Sequence, residues 1–149
     1  MTTTIHAAYK IGEDRHVTIF YNDRCDENTL FELIAHLQSL PSGRLIIIKE
    51  FVELDNPKQP SNPLIGAKLL IMNEEGTTPD YVLMDQIAMF SDKYSWRSNL
   101  TIDSQYKFTL HTTLGLKSEV DVSQYVDMKF ITSIKYIKNH SSNKKLLFE

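Results

Sequence analysis

The 149-residue chain contains one cysteine, one tryptophan, five glycines and five prolines. A lone thiol, Cys25, cannot close an internal disulfide, and without a Cys pair there is no thiolate framework for structural zinc. No apolar run exceeds four residues (45–48, LIII), far short of the roughly 20 that span a bilayer, so no membrane partner is expected. A cationic excess is also missing, with 16 Lys plus Arg against 19 Asp plus Glu and a net charge of −3. Gripping a long phosphate backbone needs such an excess, so duplex nucleic acid is excluded as an expected partner. One small anion held in a local pocket is not. The opening MTTTIHAAYK lacks the basic start and apolar core of a signal peptide. The expected location is cytoplasmic, in a cell or an infected host cell. Oligomeric state is not legible.

Internal repeats, low-complexity tracts, Gly-x-Ser-x-Gly and phosphate-loop patterns are absent. No His/Asp/Glu cluster has helical ligand spacing such as His-Glu-x-x-His. No metal and no cofactor is therefore expected.

What is present is a chain that is 42% hydrophobic and 23% charged, of a length that fits a single domain over residues 1–149. Strand patterns fall at residues 5–9, 16–21 (HVTIFY), 44–54 (RLIIIKEFVEL), 66–72 (GAKLLIM), 106–116 (YKFTLHTTLGL) and 128–137 (MKFITSIKYI). Asp26 can cap a helix whose Leu30, Leu33, Ile34 and Leu37 share one face. A second helix is expected to be capped by Thr78, with Pro79 at its first position and a buried stripe of Leu83, Ile87, Phe90 and Tyr94. Residues 55–63 (DNPKQPSNP) hold three of the five prolines and read as a loop or linker between two similar halves. The tail from Asn139 is expected to fray. The order β-β-α-β, linker, β-α-β-β makes the fold class α+β.

Two of the five histidines share a context. His16 is followed by Val-Thr-Ile and His111 by Thr-Thr-Leu, giving His-x-Thr-apolar in a predicted strand of each half. With 24 Ser plus Thr in the chain, roughly one sequence in 25 of this composition would carry two such matches by chance. In a strand, residues i and i+2 project from one face, so His16 projects with Thr18 and His111 with Thr113. Two imidazoles and two hydroxyls facing one groove suit phosphodiester chemistry. A neutral imidazole takes a proton, a charged one gives a proton, and hydroxyls donate to the non-bridging oxygens as charge develops. The bland alternative is a pair of structural strand histidines beside β-branched threonines.

These two strands, HVTIFY at 16–21 and HTTLG at 111–115, resemble those of the two-histidine (2H) phosphoesterase superfamily. The resemblance spans roughly residues 5–137. It implies a bilobal α+β fold, with two antiparallel sheets flanking a central cleft and helices outside. It also implies a metal-independent phosphodiesterase in which His16 and His111 are the acid/base pair and Thr18 and Thr113 contact phosphate. The implied substrates are small nucleotides or short or cyclic oligonucleotides with a 2′,3′-cyclic, 2′-5′ or 3′-5′ bond. The rival readings are a non-catalytic binding or immunity-type protein, and a protein that binds a nucleotide messenger without turnover. Tyr9, Phe20 and Trp96 are candidates for base stacking, and Lys107, with the parity of His111, for a phosphate contact. A core aromatic or a solvated lysine is the alternative at each. His6, His36 and His140 read as non-functional.

Overall fold

Alternation of apolar and polar residues at the start of the chain builds a hairpin of β1 (Thr3–Ile11) and β2 (His16–Cys25). In the computed structural model, which describes residues 3–97 and 108–148, α1 (Glu27–Ser39) and β3 (Leu45–Leu54) follow. Then come β4 (Leu64–Ile71), α2 (Tyr81–Tyr94), β5 (His111–Leu116), a short 3-10 turn (Val122–Gln124), β6 (Lys129–Asn139) and β7 (Lys144–Phe148). The protein is α+β: two helices and one curled antiparallel sheet, a half-barrel of order β2-β1-β6-β3-β4-β5 with β7 paired to β6.

β6 holds the sheet together. Its first residues pair with β3 (Leu45↔Ile131), the rest with β1 (Ile11↔Thr132 to Ile5↔Asn139), and its last five also with β7. The Pro-rich residues 55–63 connect β3 to its antiparallel partner β4, with Leu54 opposite Leu64. Ile5, Ala7, Tyr9 and Ile11 of β1, Val17 and Ile19 of β2, and Ile46, Leu69 and Ile71 form the core with the helices. No helix among the described residues is long and apolar enough to cross a membrane.

Helix α1 forms as its sequence dictates. The Asp26 carboxylate accepts from the Thr29 N–H at 2.8 Å, and Leu33 and Leu37 are buried, with Leu30 and Ile34 packed beside them. At its far end the buried Lys135 ammonium donates to the Leu40 carbonyl, and the Tyr9 hydroxyl to the Pro41 carbonyl at 2.7 Å. Burial favours the neutral amine and pulls the Lys135 pKa down.

Two expectations are corrected. α2 is capped by Asp80, whose side chain accepts from the Leu83 N–H at 3.0 Å, and not by Thr78. The Asn73 amide holds the Thr78 hydroxyl at 2.9 Å, so Thr78 has no free cap, and Pro79 sits opposite Met72 in a β-bridge. Leu83 and Ile87 are buried as the spacing implies, with Phe90 and Tyr94 packed against the core. The tail past Asn139 does not fray but returns as β7. The Asn139 carboxamide oxygen accepts from the N–H groups of Ser141 and Ser142, and Asn143 takes the left-handed conformation (φ 59°) that tightens the turn.

Candidate functional site

β2 and β5 are the two ends of the sheet order, yet the curl brings them side by side. Thr112, the middle residue of His111-Thr112-Thr113, is buried and donates from Oγ1 to the His16 carbonyl at 3.0 Å. Arg15 clasps the same seam. Its guanidinium donates to the Thr113 carbonyl at 3.1 Å and to the Tyr125 hydroxyl at 3.2 Å. Because Thr112 faces inward, His111 and Thr113 on either side of it face outward.

The result is one cavity lined by Asp14, Arg15, His16, Thr18, His111, Thr112 and Thr113. Both His-x-Thr pairs, 95 positions apart in the chain, therefore meet in a single pocket. Its volume of about 140 Å³ is smaller than the 300 Å³ or more typical of a pocket that engulfs a whole small molecule. It has room for a phosphate group, with the remainder of a ligand on the surrounding surface.

The two imidazoles are held differently. His111 Nδ1 lies 2.8 Å from the Thr109 carbonyl, which can only accept, so Nδ1–H donates there and Nε2 is left outside that bond. His16 starts β2 with its ring against that of His6, and its pKa lies below the ordinary histidine value. Partial burial is the main cause, followed by the positive charge of His111 and of Lys145. Neutral pH thus leaves His16 a free base. Asp14 lines the pocket but makes no hydrogen bond to His16 among the described residues. Opposite His111 on β4 lies Lys68, whose ammonium is 3.1 Å from the Glu50 carboxylate.

Sequence spacing alone missed His6 and His140. The His6 Nε2 is 2.7 Å from the Thr18 hydroxyl, and its ring lies 5.3 Å from that of His16 and stacks on His140 at 6.0 Å. Burial, and then the electrostatic influence of His16, His140, Arg97 and Lys138, push the His6 pKa down to about 4, so at neutral pH it is neutral. Neither residue is followed by the sequence signature. They reach the site through β1–β2 pairing and the turn after β6, which single-strand periodicity does not report.

The weaker candidates separate. Phe20 is displaced from the face of His16 and Thr18 by a register shift, where Ala7 and Ala8 pair with Phe20 and Thr18 and leave Ile19 as an extra residue. Phe20 consequently turns into the core, 1% exposed and 5.7 Å from Phe90, and Tyr21 takes its place beside His6 at 6.2 Å. Tyr9 is likewise buried, its hydroxyl spent on Pro41. Trp96 is half-exposed, but it sits next to Asn22 under the Arg24 guanidinium, 4.1 Å from it, and does not line the pocket. Lys107 lies outside the described residues. His36 stays apart, stacked on Phe90 between the two helices at 4.1 Å.

Among the described residues no group of three or more His, Cys, Asp or Glu is arranged to hold a metal ion. Comparison with known proteins found no family model and no curated protein that matches the chain.

Proposed function

We propose that the protein is a phosphodiesterase of the two-histidine type, acting without a metal on a small nucleotide or short oligonucleotide. The observation that carries this reading is the meeting of His16, Thr18, His111 and Thr113 in one phosphate-sized pocket. The neutral His16 takes the proton of the attacking oxygen, from water or a ribose 2′-hydroxyl. That oxygen bonds to phosphorus as the leaving oxygen departs, and His111 Nε2 supplies the proton the leaving oxygen needs. The Thr18 and Thr113 hydroxyls donate to the non-bridging oxygens. In this reading the half-barrel corresponds to the two-lobed arrangement of that superfamily, with the β2–β5 seam as its cleft.

The test is a turnover assay in EDTA on 2′,3′-cyclic mononucleotides, 2′-5′ oligoadenylates, and linear and cyclic 3′-5′ oligonucleotides. At least one should be cleaved. His16→Ala and His111→Ala should each lower kcat by about 10²–10⁴, with less than additive loss in the double variant. Full activity in the double variant overturns the proposal. Binding without cleavage replaces it with a nucleotide-messenger binder.

A further inference from the structure

The pocket is too small for a nucleotide, so the face beside it decides what the rest of a substrate meets. Directly opposed residues of a sheet share a face. His6 is opposite Tyr21 on β2 and opposite Lys138 on β6, and Lys138 is opposite Lys145 on β7. Tyr21, His6, Lys138 and Lys145 thus form one rung across four strands. His6 joins this rung to the pocket through Thr18.

Two features of the rung are costly for a bare protein. Lys138 and Lys145 are like charges placed directly opposite each other, a pairing that destabilises a sheet. In addition, β1, β6 and β7 contain no acidic residue, and neither lysine has an ion-pair partner among the described residues. Lys145 instead rests over the Tyr136 ring, 4.4 Å from its centre, and that ring is 6.3 Å from His6. In a chain of net charge −3, this cationic strip is local, and it lies close enough for Lys145 to act on His16 of the pocket and Lys138 on His6. The next rung toward the pocket, Thr18–Ala8–Tyr136, is two residues along β1 and β6 and three along the bulged β2, about 7 Å away on β1 and comparable to one internucleotide step.

We propose that the Lys138–Lys145 rung is a second anion subsite that takes the phosphate neighbouring the scissile one. The substrate class is then an oligonucleotide with at least two phosphates, in preference to a cyclic mononucleotide. This rests on the phosphodiesterase reading of the His16/His111 pocket for its catalytic part, but not for its binding part.

The experiment, at pH 8 in EDTA, compares wild type, the double variant Lys138→Gln/Lys145→Gln, and Lys144→Gln as a control. Lys144 is adjacent to Lys145 but points to the opposite face of β7. Turnover is measured on 2′,3′-cyclic AMP and on the linear and cyclic oligonucleotides, and equilibrium binding is measured with non-hydrolysable phosphorothioate versions of the latter. The double variant should lose at least ten-fold more kcat/KM on oligonucleotides than on the mononucleotide. It should also bind phosphorothioates at least ten-fold more weakly, with a shallower salt dependence and a Tm no lower than wild type. Lys144→Gln should match wild type. Equal losses on both substrate classes, or unchanged oligonucleotide binding, overturn the subsite while leaving the catalytic reading intact. Lysine-dependent binding with no cleavage of any substrate supports the subsite and overturns the catalytic reading. No oligonucleotide binding by wild type overturns the subsite, and if no substrate is cleaved either, the catalytic reading falls with it.

Discussion

The Thr112 hydroxyl donates to the carbonyl of His16 at 3.0 Å, a bond between the middle of one His-x-Thr motif and the first residue of the other. It spans the edges of a sheet whose ladder does not otherwise join them. Thr112→Val keeps the β-branched shape and removes the donor, leaving the His16 carbonyl short of a partner. The expected loss is about 1 kcal/mol of stability in denaturant unfolding. Misalignment of the two imidazoles should also lower kcat/KM roughly ten-fold or more, with Thr112→Ser close to wild type. A valine variant as active as wild type would show that the seam is held by Arg15 alone.

In the proposed reaction the depressed pKa of His16 sets the acid side of the pH–rate profile. A base must be unprotonated, so kcat/KM should fall only as pH drops below His16's own pKa, which lies under the ordinary 6.5. Since the positive charge of Lys145 contributes to that depression, Lys145→Gln should move the limb to higher pH. A limb that stays in place, or moves down, contradicts the assignment of His16 as base.

In the proposed reaction His6 acts through Thr18. With the His6 ring neutral, an Nε2–H donating to the Thr18 oxygen leaves the hydroxyl proton for a phosphate oxygen. His6→Gln preserves a donor, whereas His6→Phe does not. The phenylalanine variant should lose about ten-fold in kcat/KM, with the glutamine variant recovering most of it, and both should unfold near the wild-type midpoint at pH 8. Equal activity in the two variants would mean that Thr18 needs no such support.

Acid should unfold the protein early. His6 and His36 have folded pKa values of about 4 against an unfolded value near 6.5, so the unfolded chain binds more protons between those limits. Their contribution is whole above pH 6.5 and is lost as pH falls toward 4. His36 Nε2 is also buried with no hydrogen-bond partner among the described residues. His36→Phe keeps the stack on Phe90 and removes that orphaned nitrogen. The variant should be more stable at pH 7 by about 1 kcal/mol and show a flatter Tm between pH 7 and 4.5. A lower Tm at pH 7 would mean that the site tolerates only the smaller ring.

Much of the element order is readable from local signals. Asp26 with its apolar stripe makes α1, and the β-branched runs make the strands, because both depend on neighbours within one turn or one pleat. The pairing of His16 with Thr18 and of His111 with Thr113 is local in the same way. Phe20 is where periodicity stops: the extra residue Ile19 on β2 reverses the alternation, and only the partner strand β1 specifies the bulge. The cap of α2 moved from Thr78 to Asp80 because Asn73, five residues earlier, claims the Thr78 hydroxyl. His6, His140 and the Lys138–Lys145 rung depend on cross-strand register, which no single strand encodes.

The dual pairing of β6 has a consequence for how the chain reaches this state. β1 is flanked by β2 from the outset, but its other edge is satisfied only by β6, and β3 likewise waits for β6 on one side. During synthesis these strands emerge long before their partner, with apolar edges unpaired. Contacts so distant in sequence make for slow folding and leave the nascent chain open to aggregation until β6 is translated. Nucleation is therefore expected in the β1–β2 and β3–β4 hairpins, with β6 as the final bolt; the pocket between His16 and His111 is among the last things to form.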